Sequence, residues 1–144
     1  PSTITRLQNM GTPDYLISAA TQMVLAQRLA RRNCKECRVP DEDVTPKVLT
    51  DLGFSPEQAS RTKAIKGKGC AKCKDSGYKG RQGIYEILVV SKPIKEAILR
   101  QATTPELREI AIKEGFQTMQ DMGRRMIANG ELSFREYERV LSAS

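Results

Sequence analysis

Four cysteines stand in two matching pairs, Cys34 with Cys37 in "RRNCKECR" and Cys70 with Cys73 in "GCAKCKDSGYKG". The spacing is C-x2-C-x32-C-x2-C. A C-x-x-C turn lets two thiolates converge on one ion, and a second such turn completes a tetrahedron. No other feature restricts the fold as strongly, because the chain must leave one knuckle and come back to meet it with the other. The stretch between the pairs is polar and turn-rich, and reads as a small inserted lobe.

The chain has no histidine, so every ligand of such a centre would be sulfur. There is no apolar run long enough to span a bilayer and no signal-peptide pattern. The chain begins at Pro1 rather than Met and reads as a segment of a longer, cytosolic protein. Thiols stay reduced in that compartment, which turns paired C-x-x-C motifs towards metal rather than disulfide. Zinc suits four sulfurs at about 2.3 Å because it has no redox chemistry and no geometric preference to violate. Iron would accept the same ligands as a cluster. A redox dithiol is the other alternative, although no thioredoxin-like βαβ pattern surrounds either pair. With four protein ligands the site has no open position, so the zinc expected at Cys34, Cys37, Cys70 and Cys73 is structural. Lys35 and Lys72 inside the knuckles, with Arg32, Arg38 and Lys74 beside them, would offset its negative charge.

The formal net charge is +7. Binding one zinc through four thiolates would leave about +5. The basic residues are scattered and aromatic residues are few, which favours a solvated surface over a nucleic-acid stripe. "KGKGC" and "SGYKGRQG" are glycine-rich, but neither has the phosphate-loop pattern and neither leads into a clear helix. Their glycines serve tight turns beside the knuckles. Asp41, Glu42 and Asp43 form an acidic turn with no catalytic partner, and no catalytic residue can be named. Arg28, Arg31 and Arg81 lie nearest the motifs; they read as ordinary salt-bridge formers, with contact to a nucleotide or a neighbouring subunit as the alternative.

Helix punctuation is legible along the chain. "TPDYL", "TPKVL", "SPEQA" and "TPELR" each set Thr or Ser before Pro, an N-cap followed by proline at N1. The first predicts a helix from Pro13 towards Met23, and the second a short helix ending at Gly53. "SKPIKEAILRQ" gathers Ile94, Ala97 and Ile98 on one face. Three more amphipathic helices follow: Leu107, Ile110 and Ala111 face inward on one, and Met119, Met122, Met126 and Ile127 on the next. The last opens with a capping box, Ser133 with Glu136, and buries Phe134, Tyr137, Val140 and Leu141. "GIYEILVV", residues 83–90, reads as a strand covered on both faces. Val24–Arg32 is compatible with helix or strand.

"TRLQNMG", "AQRLARRNCKEC", "GCAKCKDSGYKGRQGIYEILVV" and "GFQTMQDMGRRMIANGELSFREYERVL", in that order, resemble the C-terminal part of the secretion-superfamily ATPases of type IV pilus assembly and type II secretion. The resemblance covers essentially the whole chain and is slightly stronger to the pilus branch than to the secretion branch. It implies an α+β, mostly helical fragment of a RecA-like ATPase domain, with an inserted zinc lobe and a C-terminal helical bundle. Residues 1–33 would end the RecA-like core, 34–73 form the tetracysteine lobe, and 74–144 supply a return strand and the bundle. Val24–Arg31 would then be a strand beside Ile84–Val90. The parent would be a homohexamer binding ATP and Mg upstream of Pro1, and this segment would be inactive alone. Its partner would be an inner-membrane platform protein at the cytoplasmic face, with no membrane insertion and no nucleic acid. Without the resemblance, a free-standing basic zinc module binding nucleic acid and a thiol redox protein remain the competing readings.

Overall fold

A computed structural model describes residues 1–142 of the 144-residue chain. The fold is mixed α/β and helix-rich, with two small sheets. In chain order come α1 (Ser2–Asn9), α2 (Asp14–Ala20), β1 (Met23–Asn33) and β2 (Arg38–Pro40). Next are α3 (Pro46–Asp51), α4 (Pro56–Arg61), β3 (Ile65–Gly67), a 3-10 turn (Ala71–Cys73) and β4 (Tyr78–Val89). Then follow α5 (Lys92–Leu99), α6 (Thr104–Lys113), α7 (Met119–Ala128) and α8 (Phe134–Leu141). None of these helices is long and apolar enough to cross a membrane.

The residues group into two compact units, 1–26 with 86–118, and 27–85 with 119–142. In the first, Ile4, Ile17, Leu88, Ile94, Ile98 and Leu107 form one buried cluster. The carboxylate of Asp14 accepts from Gln8 Nε2 and Gln101 Nε2, both at 2.9 Å. The helix expected from Pro13 starts one residue later, because Pro13 itself stands at the cap with extended backbone and Thr12 bonds no helical amide. The other three proline-led caps form as their sequences dictate: Thr45, Ser55 and Thr103 accept from Val48, Gln58 and Glu106. Helix α1 carries no capping side chain, and its sequence gives no comparable signal.

Val24–Arg32 resolves as strand. β1 pairs with β4 in a two-stranded sheet, tied by Val90 N to Gln22 O at 3.0 Å and by Cys34 N to Gly77 O at 2.9 Å. These two ties join the start of one strand to the end of the other, so the pair runs antiparallel. The expectation that residues 83–90 are covered on both faces fails. Ile84 and Leu88 are buried, whereas Tyr85, Ile87 and Val89 are 42, 47 and 62% exposed. Alternate side chains of a strand point to opposite faces, and only one face of this pair is covered by the described residues.

In the second unit, α3 and α4 fill the excursion between the knuckles, with Leu49, Phe54, Ala59 and Ala64 buried. Gly53, at φ +111°, ends α3, and Arg124 of α7 donates to Leu52 O at 3.3 Å beside it. Helix α8 buries Tyr137, Val140 and Leu141, but Phe134 is only half-buried. The capping box expected there forms by half. Ser133 Oγ accepts from Glu136 N at 3.1 Å, while the Glu136 carboxylate is drawn instead to two arginines.

Candidate metal centre

Three local devices bring the two knuckles together. β1 ends at Asn33 and hands Cys34 to Gly77 through the backbone bond already described. β2 runs antiparallel to β3 with Arg38 opposite Gly67. One further bond, Lys68 N to Cys37 O at 2.9 Å, extends that ladder until Cys37 lies beside the approach to Cys70. The 3-10 turn then carries Cys70 to Cys73, and Lys74 and Asp75, both in the left-handed region, fold the chain back. Asp75 N closes this knuckle onto Cys70 O at 2.8 Å.

The closure depends on glycine. A Cβ placed on Gly67 would lie 1.9 Å from the carbonyl oxygen of Gly77, and one on Gly77 would lie 2.5 Å from that of Gly67. Two backbones touch here, and no side chain fits between them. The glycine-rich stretches "KGKGC" and "SGYKGRQG" supply this contact.

The four sulfurs all lie within 4.8 Å of one another. Cys34 and Cys70 Sγ are 3.8 Å apart, Cys37 and Cys73 3.9 Å, and Cys70 and Cys73 3.7 Å. A disulfide would hold its sulfurs at about 2.05 Å. Four sulfurs at about 2.3 Å from a central zinc stand about 3.8 Å apart along each tetrahedral edge. The donor set and its spacing therefore fit one tetrahedral ion. Cys34, Cys37 and Cys73 are buried and Cys70 is half-buried.

Backbone amides turn towards the sulfurs. Gly69 N donates to Cys37 Sγ at 3.3 Å; Cys70 N and Gly77 N donate to Cys73 Sγ at 3.2 and 3.3 Å. Burial pushes the Cys73 thiol up, but its two amides together with hydrogen bonds from the Cys70 and Cys37 side chains more than offset that and hold it at about 6. Burial pushes Cys37, with one amide, up to about 11. Hydrogen bonds of this kind orient ligands and spread the charge of a thiolate centre. Lys35, Lys72 and Lys74 stay exposed around the knuckles, while Arg32 reaches Glu131 at 3.8 Å.

Two residues of this unit do more than their sequence context indicates: Asn33 carries no expectation, and Glu136 is expected only as the partner of Ser133 in a capping box. Asn33 is 1% exposed, and its Nδ2 donates at 3.0 Å to both Ile65 O and Gly130 O. It thereby fixes the base of the lobe to the loop after α7. Glu136 is fully buried and accepts from Arg31 N at 2.6 Å, Arg31 Nη2 at 3.0 Å and Arg139 Nε at 2.7 Å. Its carboxyl, pushed up by burial, is held down at about 2 by those donors. A signal was present: Glu136 falls on the same helical stripe as Tyr137, Val140 and Leu141, where an ionised side chain needs a partner.

The three arginines singled out from sequence have different fates. Arg31 pairs with Glu136 and stands 4.2 Å over the Tyr78 ring. Arg28 forms no ion pair among the described residues and donates to Val140 O. Arg81 lines a groove with no partner among the described residues.

Residues 1–139 match the family described as type II/IV secretion system protein. The chain is 36% identical over 136 residues to the type IV pilus assembly ATPase PilB of Myxococcus xanthus, covering 94% of this chain and 24% of that protein. It is 42% identical over 123 residues to PilB of Thermus thermophilus, 83% of this chain and 13% of that protein. It is also 34% identical over 139 residues to the type II secretion system protein HxcR of Pseudomonas aeruginosa, 96% of this chain and 25% of that protein. The chain thus spans about a quarter or less of the length of these relatives.

Proposed function

From the premise that the chain belongs to the type II/IV secretion system protein family, we propose that it is the C-terminal part of a hexameric ATPase powering type IV pilus assembly. Type II secretion is the alternative within the same family. In this reading, residues 1–33 close the RecA-like nucleotide-binding core, 34–73 form a zinc lobe, and 74–144 return the chain and complete the helical part. ATP and Mg are bound by the rest of the parent, and none of the residues here is assigned a catalytic role.

The observation that carries the reading is the set of four sulfurs spaced as the corners of one tetrahedron. Cys34, Cys37, Cys70 and Cys73 would hold zinc. Such an ion, with all four positions taken by thiolate, cross-links the chain and leaves no position for substrate. The protein's own residues do the rest. The amides of Gly69, Cys70 and Gly77 hold the sulfurs in place, Gly67 and Gly77 let the knuckles close, and Asn33 anchors the lobe at its base. A segment of this size buries too little apolar surface to keep a shape alone. Metal binding on the order of 10 kcal/mol makes it stiff enough to pass on force. The lobe then transmits subunit motion driven by ATP to a membrane platform protein at the cytoplasmic face.

The test is Cys70→Ser in the full-length protein. The variant loses its zinc and fails to support pilus assembly or secretion, while nucleotide affinity stays at the parent's value. Retention of both the metal and the biological function would refute the proposal.

A further inference from the structure

We propose that the groove lined by Leu29, Ala30, Arg31, Arg81 and Arg139 binds a phosphate group carrying more than one negative charge. The groove lies within the second unit, is open to solvent and has a volume of about 440 Å³. Three arginines line it. Arg31 comes from β1, Arg81 from β4 and Arg139 from α8.

A single carboxylate answers them. Glu136 is fully buried and takes Nε and Nη2 of both Arg31 and Arg139. Glu136 neutralises one of the three charges and presets the positions of two guanidinium groups. Arg31 is fixed further by the Tyr78 ring beneath it. Holding these long side chains in place beforehand removes much of the ordering cost of binding an anion.

Donor capacity indicates which anion. A guanidinium has five N–H donors. Three on Arg31, three on Arg139 and all five on Arg81 have no partner among the described residues. A carboxylate offers only two oxygens. A phosphate or diphosphate offers more oxygens and more charge, and arginine forks match its geometry. The site is independent of the metal, whose ligands lie elsewhere in the unit.

Inorganic pyrophosphate is titrated into the 144-residue chain by calorimetry, at low and at physiological salt. Vesicles of phosphatidylcholine mixed with phosphatidic acid, whose phosphomonoester can carry two charges, form a second arm. Arg81→Gln removes an exposed, unpartnered side chain and should melt as the parent does. It weakens pyrophosphate binding about tenfold. Leu29→Glu, also at an exposed position, abolishes binding by bringing a negative charge into the groove. Arg61→Gln, an exposed basic change outside the groove, has no effect. Vesicle binding with the same dependence on Arg81 identifies a lipid headgroup as the source of the phosphate. Soluble pyrophosphate binding alone identifies a free phosphate compound. Equal losses in Arg81→Gln and Arg61→Gln, no loss in either, or binding of a polyglutamate peptide without pyrophosphate binding would overturn the proposal.

Discussion

The backbone amide of Arg31 donates to the carboxylate of Glu136 at 2.6 Å across a sequence separation of 105 residues. The Arg31 guanidinium and that of Arg139 bind the same group. One ionised side chain thus joins the end of β1 to the first turn of α8.

The folded pKa of Glu136, about 2, lies below its ordinary value of 4.5. The stabilisation is therefore fully present above about pH 4.5 and is lost as the pH falls towards 2, and the shift corresponds to about 3 kcal/mol. Glu136→Gln should cost about that amount at pH 7 in denaturant titrations. The gap between the two proteins should narrow steadily below pH 4.5. A gap that stayed constant from pH 7 to pH 3 would contradict this.

Asn33→Ala removes the donor shared by Ile65 O and Gly130 O and leaves one part-buried and one buried carbonyl without it. The expected loss is about 2–4 kcal/mol. Hydrogen exchange should locate the weakening at β2, β3 and the loop after α7. A variant with unchanged exchange at the amides of those elements would show that Asn33 anchors nothing.

Much of this unit could be read from sequence, for a physical reason. Ligand pairs two residues apart and proline-led caps act over a single turn, so the knuckles and the caps at Thr45, Ser55 and Thr103 are written locally. Partnerships across the chain are not written this way. Glu136 looked like a capping residue because its neighbour Ser133 is three residues away, whereas Arg31 is 105 away. The exposure of Ile87 and Val89 depends on how many layers cover a strand, which an apolar run does not encode. Helix α1 lacks a capping side chain altogether.

Gly67→Ala should be more damaging than an ordinary surface glycine change, because the added methyl would meet the Gly77 carbonyl at 1.9 Å. The knuckles can then close only by moving apart. Zinc affinity, measured by competition with a chromophoric chelator, should drop at least about tenfold. Gly115→Ala, where a Cβ would meet nothing within 4 Å, tests backbone strain alone and should leave metal affinity unchanged. Equal affinities in Gly67→Ala and the parent would remove the close approach from the account.

The most direct measurement combines elemental analysis with hydrogen exchange before and after exhaustive chelation. One zinc per chain is expected. Once the metal is gone, protection should collapse across both knuckles and the β2–β3 pair, while the helices around Ile4, Ile94 and Leu107 keep theirs. Protein that contains no stoichiometric metal, and whose knuckles stay protected in the presence of chelator, would contradict it.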